Sequence, residues 1–291
     1  MLGNGFKSVT TIQDSKKITD TLLHVNSIAG LIQAIGYIKW KVAEKSKCGV
    51  AFRGQCEYYD TMNPSLYRAL TKTSSKPNAD KKYNDLVKCL TIPHNKKIGE
   101  YLSVKSDYLA PLLQHYGVKT DWLDIVDNIW IALWFACYRY VGKSKPLVSF
   151  KCRPYGKKDM NNSETFSDER YCYITLIRIP LRGDSPCTGH YIGDKIEVVD
   201  ARYCLPSIYI RPHMQHGLLM RTKTKTGKTS LDFSNAIEGV IRIDLDNALK
   251  WIELNPLLTT GTLFPPPDID TGLSLLLKIS ELRPHLDIPL A

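Results

Sequence analysis

A short, almost wholly apolar run that follows directly on a polar stretch constrains the fold of this chain more than any other feature. The run extends from Ile129 to Val141 and includes one charged residue, Arg139. A bilayer needs ~20 apolar residues, so the run predicts a buried core helix and no membrane span. The preceding stretch, Gln114 to Asp124, is rich in polar side chains and predicts the wall of a functional site.

Length and charge indicate a globular protein with a basic surface. The 291 residues are 43% hydrophobic, which is enough to fill a core. Lys and Arg outnumber Asp and Glu by 39 to 29, which gives a net charge of +10. That excess favours a polyanionic partner such as nucleic acid, although it can also serve solubility alone.

Cysteine spacing and the N-terminal residues predict a cytoplasmic protein. The eight cysteines form no Cys-x-x-Cys pair, so reduced thiols are expected instead of a zinc site or a disulfide framework. The first residues lack the continuous apolar segment of a secretion signal.

Hydrophobic periodicity predicts helices first and strands later. Apolar residues at helical spacing predict an N-terminal helix from Ile28 to Val42, and Val50 to Phe52 predict a strand that breaks at Arg53. Asp127 is the expected cap of the central helix. Further helices are expected over 83–90, 101–114, 246–254 and 271–282, and strands over 147–150, 171–179, 195–199, 207–210, 217–222 and 240–243. This order predicts an α+β domain with a helical layer packed on a mostly antiparallel sheet.

Arg53 beside Gly54 is the first candidate for ligand binding. A guanidinium fork suits phosphate or ribose oxygens, and glycine lets a ligand approach the backbone closely. The structural alternative is an arginine in a turn that pairs with a carboxylate such as Glu57.

The polar stretch offers a second group of candidates. His115, Tyr116 and Thr120 can present an imidazole, a stacking ring and a hydroxyl to one pocket, with Asp124 as a carboxylate. Each also has a structural reading, since a lone histidine is more often a satisfied structural residue and Asp124 can brace a turn.

A third group spans residues 211–217. His213 and His216 lack a neighbouring third ligand, so no metal site is predicted. Gln215 can hydrogen-bond a ribose hydroxyl, and Gly217 permits close backbone approach.

Two basic stretches, 143–158 and 221–228, are candidate nucleic-acid contacts. Gly227-Lys228-Thr229 resembles the end of a phosphate-binding loop, but the required first glycine is replaced by Thr222. The second stretch is therefore expected to be a basic hairpin, either a solvated edge or an arm that contacts phosphates. The residues expected to contact nucleic acid are Lys151, Arg153, Arg221, Lys223, Lys225 and Lys228.

Three motifs together resemble the FRG domain, a bacterial family named for its Phe-Arg-Gly tripeptide. They are Phe52-Arg53-Gly54-Gln55, the segment 63–68, and the Gln-His-x-Gly-x-x-Thr-x-x-Leu-Asp block over 114–124. The chain departs from the family pattern at Lys119, Asp121-Trp122 and Ile125-Val126. The order of an arginine on a first strand, a polar strand–helix junction and a late glutamine also resembles the ADP-ribosyltransferase superfamily.

The second resemblance implies a fold and a site. It implies one domain over residues 1–291, with an N-terminal helical region (1–49), a catalytic core with a split sheet (50–245) and C-terminal helices (246–291). NAD would be a substrate, held by Arg53, Gly54, Gln55, His115, Tyr116 and Trp122. Arg53, Thr120, Asp124 and Gln215 would be catalytic, and because glutamine cannot act as a base, Asp124 or His115 would supply that function.

The resemblances and the charge together predict a toxin-like ADP-ribosyltransferase of phage defence that modifies mRNA. An antitoxin and a chaperone would be its partners. A protein-modifying transferase, an NAD hydrolase, a nuclease and a non-catalytic binding module remain open alternatives.

Overall fold

The computed structural model describes residues 8–12, 19–46, 48–59, 61–68, 81, 85, 102–140, 147–148, 150–152, 170–181, 187–222, 232–286 and 288–289. The strands are β1 (Val9–Ile12), β2 (Leu22–Val25), β3 (Cys48–Gln55), β4 (Leu123–Val126), β5 (Tyr138–Tyr140), β6 (Leu147–Val148), β7 (Phe150–Cys152), β8 (Tyr171–Pro180), β9 (His190–Ile192), β10 (Ile196–Asp200), β11 (Gly217–Thr222), β12 (Ile237–Asp244) and β13 (Ile288–Pro289). The helices are α1 (Ile28–Lys45), α2 (Ser65–Arg68), α3 (Ser106–His115), α4 (Ile129–Cys137), α5 (Ala201–Cys204), α6 (Ile210–Met214), α7 (Leu245–Glu253), α8 (Thr260–Leu263) and α9 (Thr271–Leu277).

A nine-stranded sheet organises the described residues. Its order is β1-β2-β12-β8-β3-β4-β11-β10-β9, and β2 with β12 is its one parallel pair. The predicted α+β class and mostly antiparallel sheet are thereby confirmed. No helix in the described ranges has the length and apolar character needed to cross a membrane.

The sheet is weakest between β3 and β4, near its middle. β3 pairs with β8 along its whole length, but it meets β4 through one register pair, Phe52 with Val126. The sheet is thus continuous and not divided in two, which corrects the expected split sheet. The thin junction separates two groups of well-paired strands.

The first nine residues of the central apolar run form α4, as predicted, and pack directly on β3, whereas Tyr138–Tyr140 form β5 and not the expected end of the helix. A Cβ added at Gly54 would lie 1.8 Å from the carbonyl oxygen of Ala132. Helix backbone therefore occupies the space that Gly54 leaves, which corrects the expectation that a ligand approaches there. Asn128 caps α4 by accepting from the amides of Trp130 and Ile131, so the cap is one residue after the predicted Asp127.

Two hydrophobic clusters lie on the helical side of the sheet. One packs α1, α4 and α7 against β3, β8 and β12. The other packs α3 and α9 against β10 and β11 and contains Tyr116 and Trp122. The C-terminal helices therefore share their cores with the motif-bearing segments.

Several predicted elements differ from those observed. β3 runs on to Gln55, so Arg53 lies inside the strand. The strand expected over 207–210 is a turn that leads into α6. The helix expected over 83–90 lies outside the described residues, apart from Asp85.

Candidate functional site

Arg53 stands at the point where pairing between β3 and β4 stops. Alternation along β3 places Arg53 and Gln55 on the face that carries Ala51, opposite the helical face that carries Phe52. We call this side of the sheet the Arg53 face. The Arg53 guanidinium donates a hydrogen bond to the backbone carbonyl of Asp124. Its side chain therefore supplies a hydrogen-bond donor at the position where backbone hydrogen bonding between β3 and β4 has ended.

The charge of Arg53 lacks a hydrogen-bonded carboxylate. Among the described residues, its one hydrogen-bond acceptor is the Asp124 carbonyl. Burial, followed by the like charge of Arg68, lowers the pKa of Arg53 to about 10, and Asp124 offsets part of this. Glu57 pairs with Arg139 at 2.9 Å, so the alternative of an Arg53–Glu57 pair is wrong. At neutral pH, Arg53 is thus a cation beside another cation.

Other polar groups neighbour Arg53 on this side. The hydroxyl of Thr175 donates to Gln55 Oε1 at 2.5 Å, and Thr175 lies opposite Arg53 across the β3–β8 pair. The ring of Tyr59 is 46% exposed and lies within electrostatic range of Arg53 and Arg68. Sequence reasoning identified neither Tyr59 nor Arg68 as site residues, although Arg68 closes the 63–68 motif.

Gln114 organises the polar stretch from within. Its Oε1 accepts from the Thr120 amide at 3.1 Å and from the Thr120 hydroxyl at 2.7 Å. Its Nε2 donates to Asp124 Oδ2 at 2.7 Å. The Ser65 hydroxyl donates to the same Oε1 at 3.3 Å, which ties α2 to the stretch. One network thus explains the spacing of Gln114, Thr120 and Asp124.

The network corrects the catalytic role predicted for Thr120. Its side chain is fully buried, and its hydroxyl also accepts from the Trp122 amide at 3.1 Å. Alternation along β4 places the Asp124 carboxylate on the helical face, so the sheet separates it from the Arg53 side chain. Sequence reasoning missed Gln114 as a key residue, and its position at the head of the block was the available signal.

Tyr116 and Trp122 are core residues, which corrects their assignment to a nicotinamide pocket. Tyr116 is fully buried and donates to Asp270 Oδ2 at 2.7 Å, with the Arg211 guanidinium 4.6 Å from its ring centre. Trp122 is 1% exposed, and Arg221 lies 4.6 Å from its ring centre. Neither ring has a free face for a ligand to stack on.

His115 and Gln215 meet in the interior. A Cβ at Gly217 would lie 2.2 Å from Cε1 of His115, so this glycine admits the imidazole and not a ligand. Burial lowers the pKa of His115, and Gln215 lies beside it. Gln215 is buried and donates to the backbone carbonyl of Leu263 at 2.8 Å. The predicted contact between Gln215 and ribose is corrected accordingly, because the amide holds α8 in place.

A second polar cluster forms where β4 and β10 end. Arg202 binds Asp200 at 2.7 Å and Asp127 at 2.6 Å, and His216 Nδ1 lies 3.0 Å from Asp127. His216 has a positive φ of 48°. No group of three or more metal-binding side chains occurs in the described part of the chain. His213 also lies near this cluster, and burial, followed by the charge of Arg202, lowers its pKa.

The predicted basic contacts are only partly described. Arg221 Nε donates to Glu197 Oε2 at 2.7 Å, so its cation already has a partner besides Trp122. Lys151 lies on β7, opposite Arg139 of β5. Arg153, Lys223, Lys225 and Lys228 lie outside the described residues. Their predicted role therefore stays a prediction.

Comparison with known proteins finds one family model that matches part of the chain. Residues 49–144 match the model of the FRG domain. The matched range holds Arg53, the Gln114 network and α4, as the sequence motifs predicted. No curated protein and no solved structure matches the chain.

Proposed function

We propose that this FRG-domain protein is an ADP-ribosyltransferase that uses NAD and modifies nucleic acid, with RNA as the acceptor. The observation that carries the proposal is the environment of Arg53. Its guanidinium donates to a backbone carbonyl and lies within electrostatic range of the Arg68 cation and of the exposed ring of Tyr59. These are the groups that a dinucleotide with a diphosphate and two flat ring systems requires.

A diphosphate fits this arrangement electrostatically. Two neighbouring guanidinium groups repel each other, and an anion bound between them replaces that repulsion with attraction. Guanidinium forks also match phosphate oxygens in geometry, forming paired, charge-assisted hydrogen bonds. Arg53 comes from a strand and Arg68 from α2, so the two cations reach the ligand from different elements.

Tyr59 and Glu57 complete the proposed reaction centre. Tyr59 offers a ring on which nicotinamide or adenine can stack. Departure of nicotinamide leaves positive charge on the ribose, which a nearby carboxylate stabilises. The Asp124 carboxylate lies on the other face of the sheet, whereas Glu57 is half-exposed. Burial raises the pKa of Tyr59, and the charge of Glu57 raises it further, so Glu57 lies close to Tyr59. Glu57 therefore replaces Asp124 as the proposed acidic group.

The Arg53 face also carries a row of side chains suited to single-stranded nucleic acid. Gln55, Tyr173, Arg242 and His24 lie opposite one another across β3, β8, β12 and β2. Tyr173 is buried and stacks on Tyr58, so the half-buried Arg242 and Tyr171 are the side chains available to a ligand. Arg242 also lies 4.2 Å from the centre of the Tyr171 ring. Aromatic rings beside cations bind bases by stacking and phosphates by charge. This row supports RNA as the acceptor without recourse to the two basic stretches.

The toxin role extends the proposal to the cell. A defence toxin with an antitoxin and a chaperone follows from the family resemblance alone. We expect expression of the chain without these partners to arrest growth, in step with the appearance of labelled RNA.

The test is transfer of label from NAD that carries a labelled adenylate. The purified chain is incubated with this NAD and either total cellular RNA or total protein. The parent and Arg178→Ala should label RNA equally, because Arg178 is a strand arginine in a surface pair with Glu238. Arg53→Ala should label nothing while remaining folded by circular dichroism, although loss of its hydrogen bond to the Asp124 carbonyl lowers its melting temperature.

The possible outcomes separate the alternatives. Label in protein alone identifies a protein-modifying transferase. Nicotinamide release without labelling identifies a hydrolase, and the absence of NAD binding indicates a non-catalytic module. Parent-level labelling by Arg53→Ala removes the proposed site.

A further inference from the structure

A cavity of about 400 Å³ lies away from the Arg53 face, next to α3 and α5. Its wall includes two cysteines, a lysine and two tyrosines: Cys187, Cys204, Lys105, Tyr108 and Tyr203. None of these residues belongs to the site proposed for NAD. The cavity therefore requires a separate explanation.

The two thiols converge on one point of this cavity. The Cys204 thiol donates to the backbone carbonyl of Thr188 at 3.7 Å, and Thr188 adjoins Cys187 in sequence. Tyr108 lines the same cavity as Cys187 and Cys204, and after burial the two thiols help to raise the pKa of Tyr108. Since the Cys204 thiol contacts the residue next to Cys187 and both cysteines line one cavity, the two thiols are neighbours.

The thiols differ in their surroundings. The Lys105 ammonium lies 3.8 Å from the sulfur of Cys187, where it stabilises negative charge on that atom. Burial raises the pKa of Cys204 to about 11, so Cys204 remains a protonated thiol at neutral pH. Cys187 is thus suited to act as the nucleophile, and Cys204 is suited to react as a thiol in a later step.

A chain of hydrogen bonds through His190 and Glu197 holds the Tyr108 hydroxyl in position. Tyr108 lies 3.4 Å from His190 Nδ1, and His190 Nε2 lies 2.7 Å from Glu197 Oε1. The other oxygen of Glu197 accepts from Arg221. Burial raises the pKa of Tyr108, so its hydroxyl keeps its proton at neutral pH.

We propose that this cavity is a peroxide-reactive site in which Cys187 is the attacking cysteine and Cys204 the resolving cysteine. The Cys187 sulfur, as thiolate, attacks one oxygen of hydrogen peroxide. The S–O bond forms and the O–O bond breaks, and the departing hydroxide takes up, through solvent, the proton that the Cys187 thiol released on ionising, and leaves as water. Cys187 is oxidised to a sulfenic acid, and the peroxide is reduced.

The second step consumes the Cys204 thiol. Its sulfur attacks the Cys187 sulfur, the S–S bond forms and the S–O bond breaks. The departing hydroxyl takes the Cys204 proton and leaves as a second water molecule. Overall, two thiols and one peroxide are converted to one disulfide and two water molecules. The new bond joins the turn before β9 to α5 across the cavity.

The experiment treats the full-length reduced chain with hydrogen peroxide and maps its cysteines by mass spectrometry. The parent should lose two thiols and yield a peptide pair that joins Cys187 to Cys204. Cys204→Ser should stop at a sulfenic acid on Cys187, which dimedone traps. Cys187→Ser should form neither product at this cavity. Cys56→Ser is the matched control, because Cys56 is a partly buried cysteine elsewhere in the fold, and it should react like the parent.

Lys105→Met keeps the length of the side chain and removes its charge. We expect its first step to be about tenfold slower, because the developing charge on sulfur loses its partner. A parent-level rate in Lys105→Met, a disulfide that joins other cysteines, or dimedone labelling of Cys204 in Cys187→Ser would each overturn the proposal. Far-UV circular dichroism of each reduced variant confirms that the chain is folded before peroxide is added.

Discussion

The Gln114–Asp124 stretch and the Arg53 face meet at the same junction between β3 and β4, yet their polar groups are used differently. In the stretch, Gln114, Thr120 and Asp124 bind one another, and Tyr116 and Trp122 are buried. On the Arg53 face, the structure shows no such bonds among Arg53, Arg68 and the exposed ring of Tyr59 within the described residues. Polar motif residues therefore fall into two kinds: those that bind one another and stabilise the fold, and those that remain able to bind a ligand. Burial and hydrogen-bond partners distinguish them.

The sharpest test of this comparison replaces matched glutamines on its two sides. Gln114→Ala removes the centre of a buried network and leaves several polar groups without partners, so we expect a loss of about 4 kcal/mol of folding free energy. Gln55→Ala removes one partly exposed side chain on the Arg53 face and should cost about 1 kcal/mol or less. Urea denaturation of both variants measures the difference. Equal losses would mean that the two regions do not differ as described.

A second pair of variants tests the packing that joins the two regions. Gly54→Ala places a methyl group against the backbone of α4, and backbone cannot move aside as a flexible side chain can. We expect a loss of about 3 kcal/mol. Gly36→Ala on α1 meets open space and should be neutral or stabilising by up to about 1 kcal/mol. Thermal melting compares the two, and a tolerated Gly54→Ala would contradict the observed contact.

Arg68→Ala sharpens the comparison from the ligand side. Arg68 is exposed and at the end of a short helix, so its loss should leave the melting temperature unchanged. NAD affinity should fall about tenfold, because one of two phosphate-binding cations is gone. Titration calorimetry with NAD gives the affinity, and Arg178→Ala is again the control. Unchanged affinity would limit the site to Arg53.

The smallest expected effect concerns the pH dependence of stability that arises from the buried His115. Burial lowers the folded-state pKa of His115 below its unfolded value, so its neutral form is favoured in the fold. This contribution is complete above the unfolded pKa of ~6.5 and is lost as the pH falls through the folded value. Between pH 7 and pH 5 the parent should therefore lose more stability than His115→Asn. Parallel pH profiles would show that His115 titrates as it does in the unfolded chain.

Sequence reasoning succeeded where the signal was local. The apolar run at Ile129 predicted α4, and the spacing from Ile28 predicted α1, because each pattern lies within one helix. The prediction of a strand at residues 207–210 failed although Ile208 and Ile210 are β-branched. There the backbone carbonyl of Ile208 accepts from the Gly272 amide, a tertiary contact that overrides local strand preference.

The roles of site residues depended on partners far away in sequence. Tyr116 is a core residue because Asp270, 154 positions later, accepts a hydrogen bond from its hydroxyl. Trp122 is covered by Arg221, and Gly54 faces Ala132 and not a ligand. Residue type and spacing give no measure of such contacts, so polar and aromatic motif residues looked equally available.

The sequence by itself determined the α+β class, the central core helix and the FRG motifs, because hydrophobic periodicity and short motifs act within neighbouring residues. Tertiary structure decided that Gln114 braces the polar stretch, that Arg53 lies inside the β3–β4 junction beside Arg68, and that Cys187 meets Cys204. Each of these depends on which segments the sheet brings together and on which face each side chain lies. A side chain's exposure and partners are fixed by that packing, and they decide whether it stabilises the fold or remains able to bind.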